Sequence, residues 1–211
     1  MSVPDSHLIP SRSAKRAHFD PTTIYPILDE ALFCTISYSK DNQPFSIPTS
    51  FVRYEDKIFI HGSVGSHFIR EIATGIPVCI TVMLVDALVV AKSAFSHSVN
   101  YRSVVIFSKA EVIEDTALKT ESFKWLTNKI VPRSWDYLRP VKLSEVRKTT
   151  ALAFQLDESS AKIRMGMPND EPEDQGLPIW SGIIPLQPHR GIPQPDPSSE
   201  NIQLPEHLKH F

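Results

Sequence analysis

Ile58-Phe-Ile-His-Gly-Ser-Val-Gly-Ser-His-Phe-Ile-Arg-Glu-Ile-Ala-Thr-Gly75 reads as a strand, a turn and a helix in quick succession. Its first residues are apolar, His61 to Ser66 form a turn of mostly small residues, and a short amphipathic helix follows, closed by Gly75. A turn of that composition lets the backbone come close to a ligand. The helix behind it points its first N–H groups and the positive end of its dipole into the same space. The stretch is therefore a candidate cradle for a phosphate.

On the N-terminal side, residues 1–16 are polar, lack the apolar core of a secretory signal, and are expected to be a flexible arm. Asp20-Pro21 opens a helix, with Asp as N-cap and Pro at the first helical position, and Ile24, Ile27, Leu28 and Ala31 make its apolar face. Leu32–Tyr38 and Pro44–Tyr54 are expected to pair as a hairpin around Lys40-Asp-Asn-Gln43, and Lys57–His61 is the next strand.

On the C-terminal side, Pro77–Val90 is a long β run, either two strands or one bent by a bulge near Asp86. Strand character resumes at Tyr101–Ile113, after a polar stretch from Lys92 to Asn100. Asp115 caps a helix reaching about Ile130, with Leu118, Trp125, Leu126 and Ile130 on its inner face; Ser144 caps another, to about Thr150. Ala151–Leu156 and Ser160–Met165 read as a last strand pair, and Ile179–Leu186 is the only later stretch suited to packing. Residues 187–211 are a Pro-rich tail. Successive strands without βαβ alternation, and without a GxGxxG string, exclude a Rossmann domain and favour a closed antiparallel barrel with peripheral helices.

The 211 residues suit one domain with extensions, and 41% hydrophobic content supports a real core. A net charge of −2 gives no reason to expect nucleic acid or an anionic membrane as partner. The apolar run Val78–Ala91 is shorter than the ~20 residues a membrane helix needs and contains Asp86. A soluble cytoplasmic protein is expected, with the nucleus left open. Cys34 and Cys79 sit in apolar runs and read as buried free thiols, with a disulfide between them as the alternative, and no cysteine spacing suggests a metal site.

Four strings carry a resemblance to a known family: Gln43-Pro-Phe-Ser-Ile-Pro-Thr49, Ile60-His-Gly-Ser-Val-Gly-Ser-His67, Ser93-Ala-Phe-Ser-His-Ser-Val-Asn-Tyr-Arg-Ser-Val104 and Leu156-Asp-Glu-Ser-Ser-Ala-Lys-Ile-Arg164. Over residues 17–186 the chain resembles the flavin-binding split barrels typified by pyridoxamine 5′-phosphate oxidase, in the branch that includes nitroimidazole-resistance-type reductases. The resemblance implies a mainly β fold, a six-stranded antiparallel Greek-key split barrel with short flanking helices. It also implies a homodimer with flavin mononucleotide (FMN) in clefts at the subunit interface.

By position, the resemblance lays the backbone of Pro48, Thr49, Ser50 and Phe51 along the flavin ring. The cradle of His61, Gly62, Ser63, Ser66 and His67, with Arg70, takes the cofactor phosphate, helped by Tyr101, Arg102 and Ser103. His67-Phe68 stands where the oxidase carries an Arg-Lys pair. A phosphate dianion needs charge-assisted donors to offset its desolvation, so weaker flavin binding is expected. The oxidase's vitamin-binding residues have no counterpart, and its substrate does not carry over.

His97 is the candidate catalytic residue, a donor at the flavin edge; the plainer reading is a loop histidine bonded to backbone. His61, His67 and His97 together leave an axial ligand to haem open as the alternative cofactor chemistry. No metal site is expected otherwise. Two functions follow: an FMN-dependent oxidoreductase, or a non-catalytic flavin- or haem-binding protein for storage, sensing or detoxification.

Overall fold

The computed structural model describes residues 6–10 and 12–209. Among the described residues there are eleven strands: β1 (Ala17–His18), β2 (Phe33–Lys40), β3 (Gln43–Ser50), β4 (Val52–Tyr54), β5 (Lys57–Ser63), β6 (Pro77–Val90), β7 (Ser98–Lys109), β8 (Glu111–Val112), β9 (Thr149–Gln155), β10 (Ser159–Arg164) and β11 (Gly182–Pro185). The α-helices of the described residues are α1 (Pro21–Glu30), α2 (His67–Ile72), α3 (Thr116–Ile130), α4 (Leu143–Arg147) and α5 (Glu206–Lys209).

The strands build two antiparallel sheets. The larger has the order β1-β10-β7-β6-β2-β3, with β11 also on β6; the smaller has the order β4-β5-β9-β8. A single residue, Phe51, carries the chain from β3 into β4, and Ala110 does the same between β7 and β8. These corners hold the two sheets around one core, which Ile36, Ile60, Ile80, Ile106 and Phe154 fill. The fold is the expected mainly β antiparallel split barrel. It has more strands than the expected six because short edge strands and corners split runs that hydrophobic periodicity reads as continuous.

Local chemistry accounts for the pieces. Asp20 accepts a hydrogen bond from Thr23 N (2.8 Å) to start α1, and Asp115 accepts one from Leu118 N (2.7 Å) to start α3. Asp41 and Asn42 both have positive φ (49° and 60°), as the two-residue turn between β2 and β3 requires. The long run Pro77–Val90 is one strand whose register slips between Val85 and Ala87, which places a bulge at Asp86.

Several expectations need correction. β9 and β10 do not pair with each other; β9 pairs with β5 and β10 with β7. All of Ala151–Phe154 is buried, because β9 is covered on both faces and so shows no alternation to fix its partner. α4 begins at Leu143 with Lys142 as its cap, whose N–H donates to Glu145 Oε2 (2.9 Å), so Ser144 is inside the helix. On α3, Leu126 is buried but Leu118 and Ile130 stay exposed. Within the expected flexible arm, residues 1–5 and 11 lie outside the described residues. Elsewhere in it Leu8 is buried, His7 bonds Glu158 (3.1 Å) and meets Phe107 edge-on, and Ile9 is exposed.

The pleat gives the larger sheet two unlike faces. Ile36, Ile80, Val82, Val104 and Ile106 point into the core. Their neighbours Thr35, Thr81, Met83, Ser103 and Val105 stand in register on the outer face. Among the described residues no helix is long and apolar enough to cross a membrane. Cys34 and Cys79 are free thiols, the first buried and the second half-buried.

Candidate functional site

The opening stretch folds as strand, turn and helix, and alternation along β5 sorts its side chains. Ile58, Ile60 and Gly62 face the barrel core; Phe59 and His61 face α3. Gly62 has a steric reason to be glycine, since a Cβ there would lie 2.3 Å from Ile69 Cγ1. Its absence lets α2 sit against the strand.

The turn uses most of its donors internally. Gly65 N donates to Ser63 Oγ (3.1 Å), Ser66 N to Ser63 O (2.9 Å) and Val64 N to Lys148 O (3.1 Å). Ser66 caps α2 by accepting from Ile69 N at a long 3.4 Å. Among the described residues, the amides of His67 and Phe68 are left to point outward at the head of α2. The His67 and Arg70 side chains beside them are exposed. At its far end α2 is fixed by an ion pair from Lys40 Nζ to Glu71 Oε2 (2.5 Å), and the Phe68 ring stacks on Tyr38. The turn therefore offers two amides and two exposed basic side chains to an anion.

β3 forms the free edge of the larger sheet. Its pairing with β2 directs the N–H groups of alternate residues outward, and Pro44 and Pro48 occupy two of those positions. Ser46 and Ser50 keep outward amides, a backbone edge available to a planar polar ring. Thr49 points the other way, and its hydroxyl is spent on Ser50 O (3.4 Å). Phe51 is fully buried, with Lys129 Nζ 3.8 Å over its ring, and its N–H donates to Leu32 O (3.4 Å). Burial brings the Lys129 ammonium down to about 8, and it donates to Leu28 O (2.7 Å).

Arg102 stands apart from this group. Tyr101 and Ser103 lie on the outer face, with Ser103 Oγ donating to Lys162 O (3.2 Å), while Arg102 turns inward. Its guanidinium bonds Glu30 through Nη1 (2.5 Å) and Nη2 (2.8 Å), and Asp86 through Nε (3.0 Å) and Nη2 (2.6 Å). These bonds push the Arg102 pKa up and hold Glu30 below the usual carboxylate range. The expected Arg102–phosphate contact would have to displace two carboxylates. The network instead ties α1 to the bulge in β6.

His61 opens onto a different space. Its Nε2 lies 2.9 Å from Ser122 Oγ, and the Phe123 ring meets it edge-on. Ser122 Oγ also donates to Lys119 O (2.7 Å), so its proton is committed and His61 Nε2 is the donor between the pair. Burial, and then the charge of Lys119, lower the imidazole pKa to about 4. His61 forms part of the wall of a cleft of about 450 Å³, lined also by Leu126, Ile130, Trp135 and Leu138, with the Arg139–Glu145 pair beside it.

His97 lies at the other end of the β6–β7 ladder. Its Nδ1 bonds Ser93 O (2.8 Å); because a carbonyl only accepts, Nε2 of the neutral ring is an acceptor, not the expected donor. It shares a shallow pocket with Lys92 and Trp180.

The structure thus gathers Ser63, Ser66, His67 and Arg70 at one place. Pro48 to Ser50 lie along an edge, and His61, Arg102 and His97 are directed elsewhere. The sequence reading missed Ser122, Phe123, Trp135 and Arg139 as companions of His61, because they come from α3 and from the segment after it. Glu30 and Asp86 were also missed, although a carboxylate inside an apolar β run is a signal that it has a buried partner.

The two sheets, their corners and the strand-turn-helix junction define a mainly β antiparallel split barrel. The chain belongs to the pyridoxamine 5′-phosphate oxidase family, whose model matches residues 20–163. No curated protein sequence matches it. Among solved structures it is similar to the flavocytochrome Anf3 from Azotobacter vinelandii, at 32% identity and a TM-score of 0.92, covering 100% of this chain and 99% of that one. It is also similar to an FAD and haem binding protein from Mycobacterium smegmatis, at 31% identity and a TM-score of 0.88, covering 92% and 96%. A putative 5-nitroimidazole antibiotic resistance protein from Bacteroides thetaiotaomicron shares the fold, at 20% identity and a TM-score of 0.60, covering 70% and 86%.

Proposed function

We propose that this chain is a flavin-binding redox protein and acts as an FMN-dependent oxidoreductase. It would move electrons between a reduced nicotinamide or small organic donor and a small acceptor or oxygen. The observation that carries the reading is the turn at residues 63–67, where the outward amides of His67 and Phe68 and the exposed His67 and Arg70 converge. Those donors fit a phosphate, with less fixed positive charge than an Arg-Lys pair would supply. Ser46 and Ser50 on the free edge of β3 are placed to orient a ring. When bound, the flavin supplies the electron chemistry; the chain binds it, aligns it and limits its contact with water. The solved relatives described as a flavocytochrome and as an FAD and haem binding protein support a flavin. Titration with FMN and with FAD in parallel decides which one. We place the protein in the cytoplasm as a homodimer, with the outer face of the larger sheet covered by the second copy.

A second reading has its own observation: a neutral, largely buried imidazole lines an apolar cleft, with Arg139 beside it. That arrangement fits haem, which His61 would hold through its imidazole and Arg139 through an acidic substituent. Ligation through Nε2 would require the Ser122 bond to open. The absorbance spectrum of protein purified without added cofactor tests both readings. Flavin bands support the first, a Soret band lost in His61→Ala supports the second, and protein that binds neither on titration overturns both. Bleaching of bound flavin by a reduced nicotinamide then separates an enzyme from a carrier.

A further inference from the structure

Three parts of the chain wall the cleft beside His61. β5 supplies His61, α3 supplies Phe123, Thr127 and Ile130, and the segment behind α3 supplies Trp135 and Leu138. Its volume of about 450 Å³ is that of a small-molecule site. What such a site takes is decided by the few polar groups in its wall, and here most of them are already spent.

Ser122 Oγ accepts the proton of His61 Nε2 and gives its own to Lys119 O. Lys119 Nζ donates to Thr149 O (3.0 Å), and the Thr149 hydroxyl donates to Glu145 O (3.0 Å). Arg139 and Glu145 hold each other, Nη2 to Oε1 (2.5 Å) and Nη1 to Oε2 (3.1 Å). Among the residues that line the cleft no charge is left unpaired. An acidic ligand would have to break the Arg139–Glu145 pair and then stand beside the Glu145 carboxylate. A cationic one would lose its hydration against apolar walls, with Lys119 close by.

Three polar groups of the wall have no partner among the described residues: His61 Nδ1, the Thr127 hydroxyl and the Trp135 indole N–H. The indole only donates and the hydroxyl does either. His61 Nδ1 only accepts, because the single proton of the neutral ring sits on Nε2. Burial keeps the ring neutral down to about pH 4. Among the described residues no fully buried side-chain nitrogen or oxygen lacks a partner, so Nδ1 reaches open space, and the cleft is the open space beside it. Nδ1 also adjoins the ring carbon that carries the side chain. A macrocycle ligated there would meet the residue's own Cβ and main chain, whereas a single O–H group fits.

We propose that this cleft binds an uncharged hydroxyaromatic compound, whose ring lies against Phe123, Ile130, Trp135 and Leu138 and whose O–H donates to His61 Nδ1. A phenolic O–H is a stronger donor than an aliphatic one, and its flat ring suits a wall containing two aromatic side chains. The phenolic oxygen keeps lone pairs for the Thr127 hydroxyl. The proposal is independent of the flavin reading. It competes with the haem reading for one cleft, and unlike haem it leaves the Ser122 bond closed.

The test compares 2-naphthol with 2-methoxynaphthalene, which keeps the rings and the oxygen but has no proton to donate. Calorimetric titration of the full chain as purified is expected to show 2-naphthol binding at least tenfold more tightly. In His61→Phe, which keeps an aromatic ring in the wall and removes the acceptor, the two probes should bind alike. Leu138→Trp fills the cleft from a half-exposed position, so the chain should fold and bind both probes at least tenfold more weakly. Nitrogen NMR of labelled histidine should show 2-naphthol shifting His61 Nδ1 while Nε2 stays protonated; should His61→Phe fail to fold, that shift and Leu138→Trp decide. Equal affinity of the wild type for the two probes overturns the proposal, as does discrimination that survives in His61→Phe, or no binding of 2-naphthol. So does a cleft already occupied by haem, seen as a Soret band that His61→Ala abolishes.

Discussion

His61 and Gly62 are adjacent in the sequence and serve opposite sides of one strand. On the Gly62 side the chain is built for closeness: a missing Cβ, a helix pressed onto the strand, and a turn whose donors are backbone amides. On the His61 side it is built for exclusion: a buried imidazole bonded to a fully buried serine, facing an apolar cleft. The first side suits an exposed anionic group and the second a largely apolar body. A two-residue period therefore turns one short motif into two separate chemical environments.

The largest effect should come from closing the gap on the Gly62 side. Gly62→Val places a branched Cβ inside the space of Ile69, which is buried and has nowhere to move. Overpacking of that kind costs about 3 kcal/mol, and α2 would lift from β5. Urea unfolding should show that loss together with weaker flavin binding. A variant of wild-type stability would mean that α2 is not packed as described.

The His61 side can be probed through pH. Burial keeps the folded imidazole neutral down to about 4, whereas in the unfolded chain it takes a proton below about 6.5. As pH falls through that window the unfolded state binds a proton that the folded state refuses, so stability is lost. The expected loss is about 2 kcal/mol between pH 7 and pH 5 and about 3 across the window. His61→Phe should remove this component of the pH dependence. An unchanged slope would mean that His61 is not the group responsible.

Next in size is Arg102, which separates the inner sheet face from the turn. Removing its guanidinium leaves Glu30 and Asp86 facing each other without a cation. Arg102→Ala should cost about 2 kcal/mol of stability, while the folded fraction keeps its flavin affinity within about twofold. Arg70→Ala should do the reverse, with a small change in stability and flavin affinity about tenfold weaker. A large affinity loss in the Arg102 variant at normal stability would return Arg102 to the phosphate site.

These cases show what was legible in the sequence. Caps such as Asp20 and Asp115, the turn at Asp41-Asn42 and the bulge near Asp86 act over a few residues, so local chemistry revealed them. The small residues of the turn signal a close approach to a ligand, whereas the close neighbour of Gly62 is Ile69 on α2. What failed was long-range. β9 gives no clue to its partner when both faces are covered, and Arg102 looked like a donor for phosphate until Glu30, 72 positions away, was seen to hold it. His61 reads as part of the cradle because it adjoins it in the chain. Only the direction of its side chain, set by the pleat and by Ser122 on α3, takes it out.

The smallest expected change discriminates best between a helix cap and a ligand cradle. Ser66 caps α2 through a long bond to Ile69 N (3.4 Å), and α2 has only six residues, so little stability rests on the hydroxyl. Ser66→Asp keeps a capping oxygen and adds a negative charge at the positive end of the helix, which should raise stability by about 0.5 kcal/mol. The same charge would stand beside the His67 and Phe68 amides and repel a phosphate. If those amides hold the cofactor, flavin affinity should fall at least tenfold while the melting temperature rises slightly. If the turn is only a cap, stability should rise and affinity should stay where it was. Stability and affinity moving in opposite directions under one substitution would assign the amides to a ligand, because a purely structural turn has no means of separating the two.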